Sequence, residues 1–549
     1  LIPLSKESSP ERNQIMALVL CMAVLWIYPM ALKKFYPAAA ARPAAAPAAD
    51  QAVENGEKPL SPPEGPFLEK PEAPAIIRFE NNLYEAEFST LGASVVRLVY
   101  KGDPENRDRT RAVLLNTTGE DPGLFAARFT NETTDLSRAL FKLNKQDGDS
   151  FEFVYERQGQ YRFVKRFFMS GTSAIINLEM EIENLSDTEK QFPVDLSLGL
   201  LAEANESTRI HDFEAVAWTD KVMASDHTRI RKKGFEVSGK IAWAGLLKKY
   251  FALLVKPDIQ AMGYDVREVG HTLWADLKLE PVSVPAGQKI TKQFFVYAGP
   301  QRYNTLKSFG VGFENILSRG FFGAFELLLL QAMKFSHKYT GNYGWDILLL
   351  TFLLKLLFSP LTHMSYNSMA KMKALQPRLQ SIQERHKKDP TRMNKEMMEL
   401  YKKNRVNPMG GCLPMVLQIP VFISFYNVLN KTIDLKGAAF IWWIKDLSEP
   451  DRLLMLPWDL PVIGHSFNLL PLLMLASMFV QQRLNPQGGM PSDQQKAFAF
   501  MPLIFGFIFY KMPSGLVLYW FLNNVLSIIQ QGLVKPVVVA LHHEDAKHT

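Results

Sequence analysis

Cysteine is nearly missing. Cys21 and Cys412 are the whole complement of a chain of 549 residues. No disulfide framework can brace the long stretch between them, so whatever folds there must be held by its own core. That stretch also lacks HExxH, paired CxxC and a Gly-rich phosphate loop, which leaves no motif for zinc-protease, zinc-ribbon or nucleotide chemistry. His211, His227 and His271 are scattered and read as ordinary surface or core histidines. Neither a metal nor a cofactor is expected. Net charge is +7, yet the basic residues gather in loops beside apolar runs and no RNA-binding signature accompanies them. They speak for membrane topology and not for nucleic acid.

What is present changes along the chain. Residues 15–32 (IMALVLCMAVLWIYPMAL) form an apolar run after a short polar start. It fits a cleavable signal or a retained anchor. Lys33 and Lys34 stand between the run and the small residues Ala38, Ala39 and Ala40, which favours an uncleaved anchor. From Pro37 to about Pro74 the composition turns to Ala, Pro and Glu, which cannot bury a core and reads as a linker. From about Ile76 to Pro300 the period is two. Ile176, Leu178, Met180 and Ile182 alternate with Asn177, Glu179, Glu181 and Glu183, and Phe192, Val194, Leu196 and Leu198 repeat the pattern. Asp147-Gly148-Asp149 and the polar RQGQ mark turns of a meander, so the expectation is a large antiparallel β-sandwich.

After Pro300 the pattern returns to helix. Phe313 to Tyr339 is apolar but broken by Gly320 and Gly323, as expected of an interfacial helix. Trp345 to His363 is long enough to span a bilayer and carries Lys355 on the order of 15 Å from Trp345. A central lysine costs an inserting helix roughly 2.5 to 3.5 kcal/mol, so it needs water, a partner or a task. Thr351, Lys355, Ser359 and Thr362 fall at spacings of four, four and three and share one helix face. Snorkelling of a lone lysine is the plainer alternative; a whole polar face argues against it.

Further apolar segments run from Pro414 to Leu429, Phe467 to Val480, Ala497 to Tyr510 and Gly515 to Val534, which brings the expected total to about six spans. In the last, Tyr519, Asn523, Ser527 and Gln530 repeat the spacing of four, four and three. Gln418 lies between Pro414 and Pro420 in an irregular span. Two polar faces inside the membrane imply a shared wet groove, with interhelical hydrogen bonding as the simpler reading of Gln418.

Between Met364 and Asn407 the chain carries Lys371, Lys373, Arg378, Arg385, Lys387, Lys388, Arg392, Lys395, Lys402, Lys403 and Arg405 against Glu384, Asp389, Glu396 and Glu399. By the positive-inside rule this loop is cytoplasmic, which puts the β domain outside and the amino end inside. Met369 to His386 and Thr391 to Arg405 read as two helices broken at Lys388-Asp389-Pro390, a helical hairpin. Met369, Met372, Met397 and Met398 suit adaptable apolar contacts, though methionines between packed helices are more often core.

The segments NYGWDILLLTF, SPLT, SMAKMKALQP, EMMELYKKNRVNPMGGCLPMVLQIPVF, FMPLIFGF and PSGLVLYWFLNNVLSIIQQ resemble the YidC/Oxa1/Alb3 membrane protein insertases. The likeness is strong from Asn342 to Val534, and the anchor, linker and β domain match the Gram-negative YidC layout. That layout implies a helical membrane core of about six transmembrane helices, five of them forming the insertase core, with a periplasmic β-supersandwich. The resemblance predicts an anchor region at 1–36, a linker at 37–75, the β domain at 76–300 and an interfacial region at 301–344. The core follows at 345–535, with its hairpin at 364–407, and a short cytoplasmic tail at 536–549.

The resemblance further implies a non-enzymatic insertase and membrane chaperone of the bacterial inner membrane. Its groove would open to cytoplasm and lipid, and it would act alone or with the Sec translocon. Partners implied are nascent membrane proteins of few spans, membrane lipids, and the ribosome and signal recognition particle with its receptor at the cytoplasmic face. Thr351, Tyr519 and Trp520 fall where relatives touch the nascent chain. Lys355 falls where the family usually has arginine, so the charge is kept and the bidentate fork lost. The hairpin, with Met369, Met372, Lys387, Lys388, Met397 and Met398, falls on the cytoplasmic element needed for insertion. The C-terminal VVVALHHEDAKHT has no basic run, so a ribosome-binding tail is not expected. An ion-coupled transporter is the alternative that an intramembrane lysine allows; it would be favoured by inverted repeats, and none is found.

Overall fold

The alternation of side chains about Ile175–Asn184 shows how the polar first half acquires a core without disulfides. Ile176, Leu178, Met180 and Ile182 are buried, while Asn177 is exposed. In the computed structural model the described residues are 74–102, 111–117, 123–129, 135–201, 213–387, 389–404, 406, 413–460, 464–484 and 492–533. The expected anchor, linker and tail, both cysteines, His211, Lys388 and Arg405 lie outside them.

Lys142–Asp147, Ser150–Arg157, Tyr161–Met169 and Ile175–Asn184 form an up-and-down antiparallel meander. Lys289–Pro300 pairs with its last strand and extends the sheet to Phe251–Pro257, and the full sheet has nine strands. A five-stranded sheet and a four-stranded sheet pack on it around one core. Phe88 of the four-stranded sheet lies 4.7 Å from Phe151, and the Tyr264 hydroxyl of the five-stranded sheet donates to Gly245 O at 2.8 Å. The run from Phe192 to Leu198 is split by Pro193, which has no N–H for the ladder. Lys190–Phe192 pairs with Val282–Val284, while Val194–Leu201 enters the five-stranded sheet.

The chain leaves the sheet at Pro300 and enters a helical region. Its helices are α1 (Gly323–Thr340), α2 (Tyr343–Ala374), α3 (Gln376–Arg385), α4 (Pro390–Lys403), α5 (Leu413–Lys431), α6 (Leu469–Leu484), α7 (Ser492–Phe509) and α8 (Ser514–Leu533). The helical and β parts are joined by ion pairs. Arg319, just before α1, meets Glu214 at 2.5 Å, while Arg302 and Lys334 both reach Asp434, at 3.3 and 3.4 Å.

Three boundaries differ from the sequence expectation. α2 does not stop near His363 but runs through Pro360 to Ala374, so the first arm of the hairpin begins as its continuation. The break falls at Leu375, where Pro377 in the first turn of α3 favours a new helix start. α6 begins at Leu469 because Asp451, far back in sequence, accepts from the N–H groups of Leu469 and Leu470, both at 2.9 Å. A hairpin of Leu454–Leu460 and Gly464–Phe467 precedes it and was not expected. Against an expectation of about six spans, two helices among the described residues are long and apolar enough to cross a membrane, within Tyr343–Met372 and Ser514–Leu533; α6 and Phe500–Phe509 are shorter apolar helices.

Lys165 occupies an inward position of Tyr161–Met169, between Phe163 and Phe167, and is fully buried. Its ammonium donates to Phe125 O at 2.7 Å, Gly92 O at 2.8 Å and Ala93 O at 3.2 Å. It thereby pins backbone at Ala93 and Phe125, both at positive φ (41° and 67°). Burial pushes its pKa down to about 7. An unfolded chain, with a lysine near 10.4, binds the extra proton between those values, so the β domain gains stability as pH rises from about 7 towards 10. Lys165→Met should remove that pH slope. It should also lower stability at pH 10 by about 1 to 3 kcal/mol, because the neutral amine present there donates two hydrogen bonds that buried carbonyls would lose. Denaturant unfolding of the full chain in detergent, followed through the β signal in far-UV circular dichroism, checks both outcomes.

Candidate functional site

The polar faces of α2 and α8 meet. Lys355 Nζ donates to Ser527 Oγ at 2.6 Å and to Asn523 Oδ1 at 3.3 Å. Further along the same seam Gln530 Nε2 donates to Thr362 Oγ1 at 2.7 Å and to Ser359 Oγ at 3.0 Å. Gln418 of α5 bonds the Tyr519 hydroxyl. The periodicity explains the register, since residues four apart stand one above another and present a row to the facing helix. Lys355 and Gln530 are long and their acceptors short, so each reaches across from its own helix to the other. The two faces expected to share a groove meet, and these side chains bond directly.

Lys355 is half-buried, and its partners among the described residues are two neutral oxygens. Thr351 is buried and turned back on its own helix, its hydroxyl donating to Ile347 O at 2.6 Å. Tyr519 is 1% exposed and stacks on Phe425 with centroids 4.4 Å apart. Trp520, one residue on and so about 100° round the helix, points into rings of Phe422, Phe505 and Phe509 at 4.8, 5.7 and 5.3 Å. Thr351, Tyr519 and Trp520 therefore do not share one open surface. In the hairpin Met369, Met372 and Met397 are buried, and the latter two pack with Leu375, Leu379, Tyr401 and Val406; Met398 and Lys387 are exposed.

Sequence reasoning missed three polar contacts that fix the helices around the seam. Asn427 of α5 donates to Glu326 of α1 at 2.6 Å, and Asn524 of α8 donates to Ser477 of α6 at 3.1 Å. Asp346, wholly buried at the start of α2, accepts from the Thr340 hydroxyl at 2.7 Å and contacts His337 Nδ1 at 2.8 Å. The missed signal was a single polar residue inside an apolar run: Glu326 in AFELLLL and Asp346 in WDILLL. Among the described residues no group of three or more His, Cys, Asp or Glu converges as metal ligands would.

Residues 335–540 match the family described as the 60Kd inner membrane protein, and residues 76–359 match the YidC periplasmic domain. The membrane protein insertase YidC of Paraburkholderia phytofirmans is 33% identical over 90% of this chain and 92% of that protein. The chain belongs to the YidC membrane protein insertase family. The YidC of Pelobacter propionicus is 32% identical over 96% of this chain and 99% of its own length. A solved structure described as an active YidC insertase with its first transmembrane domain resolved is 18% identical, covering 83% of this chain and 91% of that one at a TM-score of 0.36. This YidC family member is thus an inner membrane protein with a β-rich periplasmic domain and a helical C-terminal region.

Interhelical hydrogen bonds in membranes are worth about 0.6 kcal/mol on average and at most about 1.7, whereas stranding buried polar partners costs about 1 to 3 kcal/mol. Gln530→Leu, after which the Thr362 hydroxyl still donates to Phe358 O and Ser359 O, should therefore lower stability by less than Asp346→Ala, which removes the buried acceptor shared by Thr340 and His337. Titrated unfolding of the reconstituted protein by an anionic detergent gives the ranking; equal losses would show that the Asp346 cluster is no more than another interhelical bond.

Proposed function

We propose that this protein inserts and folds inner-membrane proteins, and that the seam between α2 and α8 is where a polar client segment enters. The observation that carries this reading is a positive charge set in an apolar helix and bonded only to neutral groups among the described residues. A hydroxyl and an amide solvate an ammonium through their dipoles alone, and a carboxylate adds the attraction of an opposite charge. An acidic residue in the translocated tail of a client would displace Ser527 and Asn523 from Lys355. The remaining seam hydroxyls and amides would then line a polar path that shortens the apolar barrier, and the client's own apolar helix would leave sideways into lipid. No nucleotide step is needed.

In this reading α2, α5, α6, α7 and α8 cross the inner membrane. Residues 15–32 add an anchor with the amino end in the cytoplasm, and 37–75 tether the β-supersandwich of 76–300. The region 301–344 lies in the outer interface, and the tail from 536 is cytoplasmic. The hairpin, with Lys387 near its bend, would receive the ribosome or the signal recognition particle and its receptor. Clients would be short proteins of few spans, handled alone or with the Sec translocon. Thr351, Tyr519 and Trp520 would touch the client once the seam opens.

The test uses the charge. Lys355→Arg should preserve insertion, Lys355→Ala should weaken it several-fold mainly for acidic-tailed clients, and Lys355→Glu should be worst for those clients. Equal insertion of acidic and neutral tails by Lys355→Glu at matched protein levels would end the electrostatic role. Photo-crosslinkers at Thr351 and Tyr519 during translation of a single-span client should capture nascent chains; capture of a small solute in their place would mark a transporter. Cysteines near Gly148 should react with impermeant reagents from the periplasmic side and those near Lys387 should not.

A further inference from the structure

The helix His227–Lys233 carries Arg229, Arg231, Lys232 and Lys233 on its exposed side, while His227 and Ile230 are buried beneath it. Its position follows from strand register. Asp226 pairs with Glu214, the neighbouring Phe213 pairs with Lys248, and Phe251 pairs with Pro300, where the chain leaves the sheet for the helical region. All of these stand at one end of the nine-stranded sheet, and the helix begins at the residue after Asp226. The same end is tied to the helical region at two points: Glu214 holds Arg319 just ahead of α1, and Lys436, beyond α5, lies 6.0 Å from the Tyr250 ring. α1 itself shows an exposed apolar side through Leu328 and Phe335. The basic helix and the apolar side of α1 thus belong to the same end of the β domain.

Nearby acids satisfy only part of this charge. Arg229 meets Asp226 at 3.3 Å, Glu268 contacts His227 at 3.0 Å and Arg231 at 3.9 Å, and Arg267 is taken by Asp276 at 3.0 Å. Lys232 and Lys233 are exposed and make no ion pair with any described residue. They border an open cleft of about 400 Å³ between the helix and the turn at Gly270. The C-terminal end of a helix favours cations, so Lys232 and Lys233 are held in place beside the Arg231–Glu268 pair without an ion pair of their own among the described residues.

We infer that this basic helix docks the periplasmic domain on the outer leaflet through the phosphates of anionic phospholipids. The inference rests on the placement of α1 in the membrane interface given above. Charge complementarity and continuity with the apolar side of α1 commit the surface to a lipid headgroup layer. Basic residues within a Debye length of such a layer, about 8 Å at physiological salt, each raise local occupancy about fivefold.

The experiment uses the full chain, with Cys21 and Cys412 replaced by serine, in nanodiscs of phosphatidylcholine alone or with phosphatidylglycerol. A fluorophore at Thr228→Cys reports contact with headgroup-labelled quencher lipid, and one at Phe335→Cys reports burial of α1 through acyl-chain quencher. Quenching at Thr228 should be several-fold stronger in anionic discs. It should fall to the neutral-disc level in high salt and in the Arg231→Gln, Lys232→Gln, Lys233→Gln variant, yet persist in Lys142→Gln, Lys145→Gln on the far edge strand. Quenching at Phe335 should be unchanged by all of these, which also shows that the variants fold. Equal Thr228 quenching in both discs, or no loss in the triple variant, overturns the docking. Loss of Thr228 quenching on adding inorganic phosphate at constant ionic strength overturns it in favour of a soluble-anion site. Absence of quenching at Phe335 removes the interfacial placement on which the docking depends.

Discussion

A charge placed between two apolar helices must be solvated by the protein itself, and much of the helical region follows from that requirement. The ammonium of Lys355 finds its oxygens on α8. Those oxygens lie one helical turn apart, so the bond fixes the rotation of α8 as well as its height. Gln530 then meets Ser359 and Thr362, and Tyr519 meets Gln418. Asn524 on another side of α8 reaches Ser477 and sets α6 in turn. The two positions on α8 next to each other, Tyr519 and Trp520, consequently serve different neighbours, one the ring of Phe425 and the other the cluster around Phe509.

The β domain meets the opposite problem, a core that has to hold without covalent braces. It does so with aromatic side chains in contact across sheets, among them Phe79, Phe88, Phe151 and Phe167, where offset and edge-on ring pairs add to the area they bury. The one buried lysine among its described residues is placed where backbone carbonyls at positive φ would otherwise lack donors. The cation is therefore part of the packing in the domain and part of the polar seam in the helices. The same residue type serves structure in one half and the proposed function in the other.

Local periodicity made much of this legible. Spacings of four, four and three in both apolar runs identified the two faces that meet, and the alternation from Ile176 to Ile182 identified the buried side of its strand. Lys165 was passed over, although it is the one charged residue at the inward parity of YRFVKRFF. Local pattern does not contain partners distant in sequence. Asp451 capping α6, Pro193 sending two adjacent segments to different sheets, and Asp434 shared by Arg302 and Lys334 all depend on the folded path. Nor does periodicity state how close two faces come. Side-chain length decides that, and the reach of Lys355 and Gln530 brings the two polar faces into direct contact.

The uninterrupted course of α2 carries a mechanical consequence. Its 32 residues extend about 48 Å at 1.5 Å each, against an apolar layer about 30 Å thick. For a helix that crosses that layer the surplus, about 18 Å on those figures, would carry the α3–α4 pair away from it. Lys355 and the base of that pair stand on the same helix with Pro360 between them, where a missing backbone hydrogen bond lets the helix bend. Under the proposed function, engagement at the hairpin and release of the seam would be coupled through that one bendable helix.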